Sequence, residues 1–268
     1  MVEVVLREDE RGVIAIGQAS HAWISGQLAR AWGNARFGVV EPYEEVCLGA
    51  EQHDAGMAGW DLAPTCNPDS GLPHSFTEMP LAVHVELWRE GPRRLLSQSR
   101  YAALLAAMHG RRLYERAKLD QLAPEQAAIV RGFIVGQREF EQQLLASLAA
   151  DPATASFAGA DLVARNSQLL WTWDLLSLAL CLDWAPCVAH EVPTADGRAD
   201  VKLDPGGERS ALSLDPWPLR SATLTVHCEG RRLEGRFKSD QSLRRGLAQA
   251  RWETVEFELV PARPQRST

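Results

Sequence analysis

Apolar and polar positions alternate at the start of the chain and then settle into helical spacing. Residues 2–6 and 12–17 run in β-branched and apolar types on either side of Asp9-Glu10-Arg11-Gly12, the pattern of a hairpin. From Ser20, a residue type that favours helix N-caps, apolar residues recur at Trp23/Ile24, Leu28 and Ala31/Trp32. This predicts a helix ended by Gly33-Asn34. A second stripe, Val46, Cys47 and Ala50, leads into His53-Asp54, with Gly56 and Gly59 loosening the helix just beyond. Turn-forming residues fill Ala63 to Pro80 and predict a long loop.

Helical spacing returns over residues 82–90 and 101–118. It continues from Leu122-Ala123-Pro124, with Pro in the first turn, to about residue 149, and again over 160–182. Past Pro186 the pattern shortens. Residues 221–228 and 231–237 read as a hairpin about Glu229-Gly230, followed by a helix over 239–250 and a strand over 254–260. The predicted fold is therefore a mainly α helical bundle with a small antiparallel β element from the N-terminal hairpin and the C-terminal tail. The expected division is a helical domain over 1–185, a small β-rich subdomain over 186–262 packed on it, and a frayed tail over 263–268.

Composition narrows the function more than the fold. The chain has 268 residues, 46% hydrophobic and 24% charged, enough for a full core. A net charge of −7 argues against binding a nucleic acid polymer through a general basic surface, but leaves room for a small phosphorylated substrate held by a cation. The first ten residues are too charged for a secretory signal, and the apolar run from Leu175 to Leu182 is too short to span a bilayer. Five cysteines without Cys-x-x-Cys spacing read as reduced thiols, so a cytoplasmic protein away from membranes is expected.

The candidate chemistry lies in His and Asp residues on apolar helix faces. His21 falls in the first turn of the first helix, His53-Asp54 at the end of the second, and His84 and His109 on apolar faces of the third and fourth. Asp174 is embedded in Trp-Thr-Trp-Asp-Leu-Leu-Ser-Leu-Ala-Leu, where a charge is costly unless paired or metal-bound. A single histidine on such a face also serves as a core residue bonded to backbone. Ligands projecting from facing helices are nonetheless how helical proteins build metal sites.

The order His … His-Asp … His … His … Asp resembles the HD-domain superfamily of metal-dependent phosphohydrolases. The segments Gln-Ala-Ser-His-Ala, Glu-Gln-His-Asp-Ala-Gly, Tyr-Ala-Ala-Leu-Leu-Ala-Ala-Met-His and Trp-Asp-Leu-Leu-Ser-Leu-Ala-Leu-Cys resemble the DUF3891 family over nearly the whole chain. The HD resemblance implies one metal at His21, His53, Asp54 and Asp174. It implies a second at His84 and His109, bridged by Asp54, with Asp54 and His109 carrying the catalysis. One or two divalent transition metals (Fe, Mn, Zn or Ni) suit imidazole and carboxylate donors. The implied activity is hydrolysis of a small phosphoester by metal-activated water. Arg112, Lys118 and Trp60 are the candidate substrate contacts. Two rival readings stand beside it: a di-iron oxygenase of the inositol-oxygenase type, and a non-catalytic metal- or ligand-binding module whose clustered tryptophans hold an aromatic compound.

Overall fold

A computed structural model describes residues 4–75, 78–205 and 211–262. The opening hairpin forms as the alternation predicts, from β1 (Val4–Asp9) and β2 (Gly12–Gly17). Helix α1 (Gln18–Ala31) starts two residues before Ser20, and no side chain at its N-cap, Gly17, caps it. The cap comes from outside. Asp61 Oδ2 accepts from the amides of Gln18 (2.7 Å) and Ala19 (3.4 Å), satisfying N–H groups that a helix start leaves open.

Helix α2 (Tyr43–Gln52) ends on His53, and the short α3 (Ala58–Leu62) supplies Asp61. The four longer helices are α4 (Leu81–Leu95), α5 (Arg100–Glu115), α6 (Pro124–Ala150) and α7 (Ala160–Leu182). Helix α5 opens on Ser99, whose hydroxyl accepts from Ala102 N–H. Helix α6 buries Ala127, Val130, Phe133, Phe140, Leu144 and Leu148, one stripe at helical spacing, and leaves its other side to solvent.

The β structure is larger than predicted. Seven strands form one sheet in the order β1-β2-β6-β7-β5-β4-β3, adding β3 (Cys187–Pro193), β4 (Arg198–Pro205), β5 (Leu212–Asp215), β6 (Leu224–Leu233) and β7 (Arg251–Pro261). Neighbours pair antiparallel except β5 with β7, which are parallel. With 51% helix and 22% strand, and a mixed sheet curled into a half-barrel, this is an α+β fold. It replaces the expected helical bundle with a small β element. No turn forms at Glu229-Gly230: β6 runs straight through it, and Gly230 pairs with Ile16 and with Glu253. The glycine answers close packing instead. A Cβ there would lie 2.4 Å from Ile14 Cγ2 and 3.0 Å from Ile16 Cγ1.

Because β2 pairs with β6, the N-terminal hairpin and the C-terminal strands belong to one sheet. The principal core crosses residue 186 without a break, joining Leu170, Trp173 and Leu180 of α7 to Ala189, Val201, Leu214 and Val226 of the sheet. A smaller core under α8 (Asp240–Gln249) joins Leu243 and Leu247 to Val13 and Leu233. The expected frayed tail at 263–268 lies outside the described residues.

Candidate metal centre

Four helices deliver five titratable side chains to one buried point. His21 stands in the first turn of α1, His53 and Asp54 at the end of α2, His109 inside α5 and Asp174 inside α7; none is more than 8% exposed. The chain leaves α2 at His53 and passes close under α4. A Cβ on Gly56 would sit 2.5 Å from the Leu87 carbonyl oxygen and 2.9 Å from Gly91 Cα. This glycine therefore permits the crossing that holds Asp54 in place, a more specific role than loosening a helix end.

The hydrogen bonds around the cluster fix which nitrogen of each ring faces inward. His53 Nδ1–H donates to the Ala50 carbonyl (2.8 Å), three residues back in α2. Its Nε2 then points between Asp174 Oδ1 (3.3 Å) and Asp54 Oδ2 (3.5 Å). Ser25 Oγ–H donates to Ser177 Oγ (3.0 Å), and Ser177 Oγ–H donates to the Asp174 carbonyl (2.9 Å). Ser177 Oγ has therefore given away its proton and accepts from His21 Nδ1–H at 3.0 Å. His21 Nε2 is left with a lone pair 2.7 Å from Asp54 Oδ2. A lone pair and a carboxylate oxygen that close repel unless they share a cation, either a proton or a metal.

Charge and burial compete throughout the cluster. Burial works against a charge on His53, but Asp54 and Asp174 outweigh it and push its pKa up to about 9. Burial also opposes ionisation of Asp54 and Asp174, and their histidine neighbours overcome it, holding Asp54 below and Asp174 well below the usual carboxylate range. His109 goes the other way: burial lowers its pKa against the pull of Asp174. The two carboxylates thus create a strongly cation-attracting point inside the protein.

Two sets of ligand atoms lie within 4.8 Å of one another: His21, His53 and Asp54, and His53, His109 and Asp174. They share His53, whose Nδ1 is taken by the Ala50 carbonyl, so Nε2 is the one nitrogen it can offer to either set. The donors fit a divalent transition metal of the borderline kind, with imidazole nitrogens and two carboxylates. Asp54 Oδ1 is buried and has no hydrogen-bond partner among the described residues, as a ligand oxygen awaiting a cation would be. His21 and His53 each hold their rear N–H on a fixed acceptor, as ligating histidines do. His109 does not. Its Nε2 lies 3.4 Å from Asp174 Oδ2, but its Nδ1 is buried without a partner among the described residues.

His84 is near the cluster but turned to other work. Trp88 Nε1–H donates to His84 Nε2 (3.0 Å), and His84 Nδ1 bonds the Tyr114 hydroxyl at 2.5 Å. Both nitrogens are engaged, and burial lowers its pKa to about 4. The structure thus brings His21, His53, Asp54, His109 and Asp174 together and does not offer a free His84 nitrogen to them. Trp60 is half-buried in α3 and does not line the cavity beside the cluster, while Lys118 is exposed beyond α5. Arg112 is half-buried one turn beyond His109, over the ring of Trp171. That cavity, about 40 Å3 between Gln18, Met57, Leu113 and Leu178, has room for a few water-sized groups beside the ligand atoms.

Sequence reasoning missed the supporting residues: Asp61, Ser25, Ser177 and Tyr114. Spacing held part of the signal, since Ser25 lies one turn from His21 and Ser177 one turn from Asp174.

This is an α+β protein with a buried His/Asp centre reached from four helices. The chain belongs to the DUF3891 family, described as a protein of unknown function, whose model matches residues 4–235. No curated protein and no solved structure matches it. Among the described residues, no helix is long and apolar enough to cross a membrane.

Proposed function

We propose that this protein is a mononuclear metal-dependent hydrolase of small phosphoesters, with His21, His53, Asp54 and Asp174 as ligands. The observation that carries the reading is the inward-facing Nε2 of His53, its ring fixed by Ala50 and set between two buried carboxylates. Bound there, a divalent metal supplies Lewis acidity, which lowers the pKa of a coordinated water and neutralises phosphoryl oxygens. The protein's own residues do the rest. Ser177 orients His21 and ties it to the backbone of α7, so the α1 and α7 ligands keep their spacing. Met57, Leu113 and Leu178 keep the cavity apolar on its other sides and limit competing water. His109, 3.4 Å from Asp174, is placed to hold a proton at Nε2 beside the reacting group.

A single shared His53 nitrogen, together with the engagement of both His84 nitrogens, favours one metal over the two that an oxygenase of the di-iron type requires. The test is metal content by elemental mass spectrometry, followed by turnover of a phosphomonoester and phosphodiester panel with Fe, Mn, Zn or Ni restored. The expected result is one equivalent per chain, abolished in Asp54→Ala. His109→Gln should keep the metal and lose turnover. Failure to bind any of these metals after reconstitution would overturn the reading.

A further inference from the structure

One turn from the cluster, where α5 packs against α7, two arginines lie over a tryptophan. Trp171 precedes Asp174 by one turn of α7, and its ring is 5.3 Å from that of His109. The guanidinium carbons of Arg112 and Arg116 lie 4.2 and 4.4 Å from the Trp171 ring centre. Such stacking orients a guanidinium while leaving its N–H edge open.

The cations are poorly neutralised. Among the described residues neither the Arg112 nor the Arg116 guanidinium has a hydrogen bond or a carboxylate partner. Glu115, the acid closest in sequence, is already taken by Arg111 and Arg138, at 2.7 Å each. Like charges that gather beside a half-buried guanidinium oppose one another and cost stability. The contrast with Arg111, one position earlier and held by both Glu115 and Glu141, shows that this helix can pair its arginines where it needs structure.

We propose that Arg112 and Arg116, with Trp171 as their platform, form a binding site for a phosphate group. Two guanidinium groups over one ring match the oxygens of a phosphate, and Arg forks bind them bidentately. The two ring-centred legs, 4.2 and 5.3 Å, put Arg112 within about 10 Å of His109. The group bound is the non-reacting phosphate of a substrate that carries a second phosphate to the metal centre; only this last assignment rests on the function proposed above.

Isothermal titration of metal-free protein tests the site apart from the metal centre, with inorganic phosphate, phenyl phosphate and pyrophosphate as ligands. Arg112→Gln and Arg116→Gln are compared with Arg131→Gln, an exposed cation on the outer side of α6. Losing one charged hydrogen-bonding partner should weaken pyrophosphate binding roughly ten- to a hundredfold in the first two variants and leave the third unchanged. Circular dichroism melting accompanies each variant, so that loss of fold is not read as loss of binding. Phenyl phosphate binding at least as tightly as inorganic phosphate supports an organic ligand, whereas rejection of the ester overturns the substrate assignment. No binding of any of the three, or equal affinity in all three variants, overturns the site. Metal uptake by Arg112→Gln should match that of the unmodified protein, so the two proposals fail separately.

Discussion

Asp61 offers a test of how the first helix is anchored, and its size follows from the structure. The carboxyl is 8% exposed; Oδ2 receives the Gln18 and Ala19 amides, while Oδ1 is buried without a partner among the described residues. Arg231, the nearest cation, spends its hydrogen bond on the Asp61 backbone carbonyl instead. Burial therefore dominates, with the charge of Asp54 adding to it, and the pKa rises from 3.8 to about 7 in spite of the two amides. A raised folded-state pKa means that the native protein binds a proton the unfolded chain has already released. Its contribution is complete below pH 3.8 and is lost as pH rises toward and through 7. At 1.36 kcal/mol per pH unit, this carboxyl should reduce stability by about 4 kcal/mol across that interval. Asp61→Asn keeps an oxygen to accept from Gln18 and removes the ionisation. Urea unfolding of both proteins, in chelator, from pH 5 to 8.5 measures the difference. The variant should gain on the unmodified protein by roughly 1 kcal/mol per pH unit up to about pH 7 and then level off. A difference that stays flat with pH would refute the argument.

Three further outcomes test other parts of the molecule. Gly230→Val must push a side chain into Ile14 and Ile16, and overpacking of this kind should cost about 1–3 kcal/mol, read as a lowered midpoint in thermal unfolding. His84→Ala should leave metal stoichiometry at one equivalent by elemental mass spectrometry, where Asp174→Ala should abolish it; loss of metal in the His84 variant would return that residue to the ligand set. Arg232 donates to Asp9 at 2.6 and 2.7 Å and to Glu253 at 2.7 Å, and holds the Asp9 pKa at about 2. A depressed carboxyl pKa stabilises above 3.8 and stops doing so as pH falls through 2, so Arg232→Met should lower the melting temperature at pH 7 and make little difference near pH 2.

The helices were legible because each buries a long stripe whose period is its own signature, as along α6 and α7. The sheet was not, for two different reasons. Strand β5 has only four residues, β3 carries Val188, Ala189 and Val192 out of period across a bulge, and β4, which does alternate at Ala199, Val201 and Leu203, is hemmed in by Gly197-Arg198 and Asp204-Pro205. In β6 the period was present and its interruption was misread. Glu-Gly is a turn signal only when the glycine's freedom is used for a turn, and at Gly230 its lack of a side chain is used to admit Ile14 and Ile16 from the next strand. A local sequence cannot distinguish the two, because the deciding atoms are more than 200 residues away.

The same limit applies within the site. His84 and His109 both lie on apolar faces of neighbouring helices, and the sequence offers both as ligands, His109 on the better match. What separates them is the rest of their shells. His84 has Trp88 one turn along its own helix and Tyr114 across from it, which together use both its nitrogens. His109 faces Asp174 and leaves Nδ1 unsatisfied. The Trp88 contact is visible as an i, i+4 spacing on α4, whereas Tyr114 reaches His84 only through the packing of α5 on α4. Candidate ligands can therefore be read from buried polar residues on helix faces. Which of them keep a nitrogen turned to the carboxylates is decided by long-range neighbours, as Tyr114 does for His84 and Asp174 for His109.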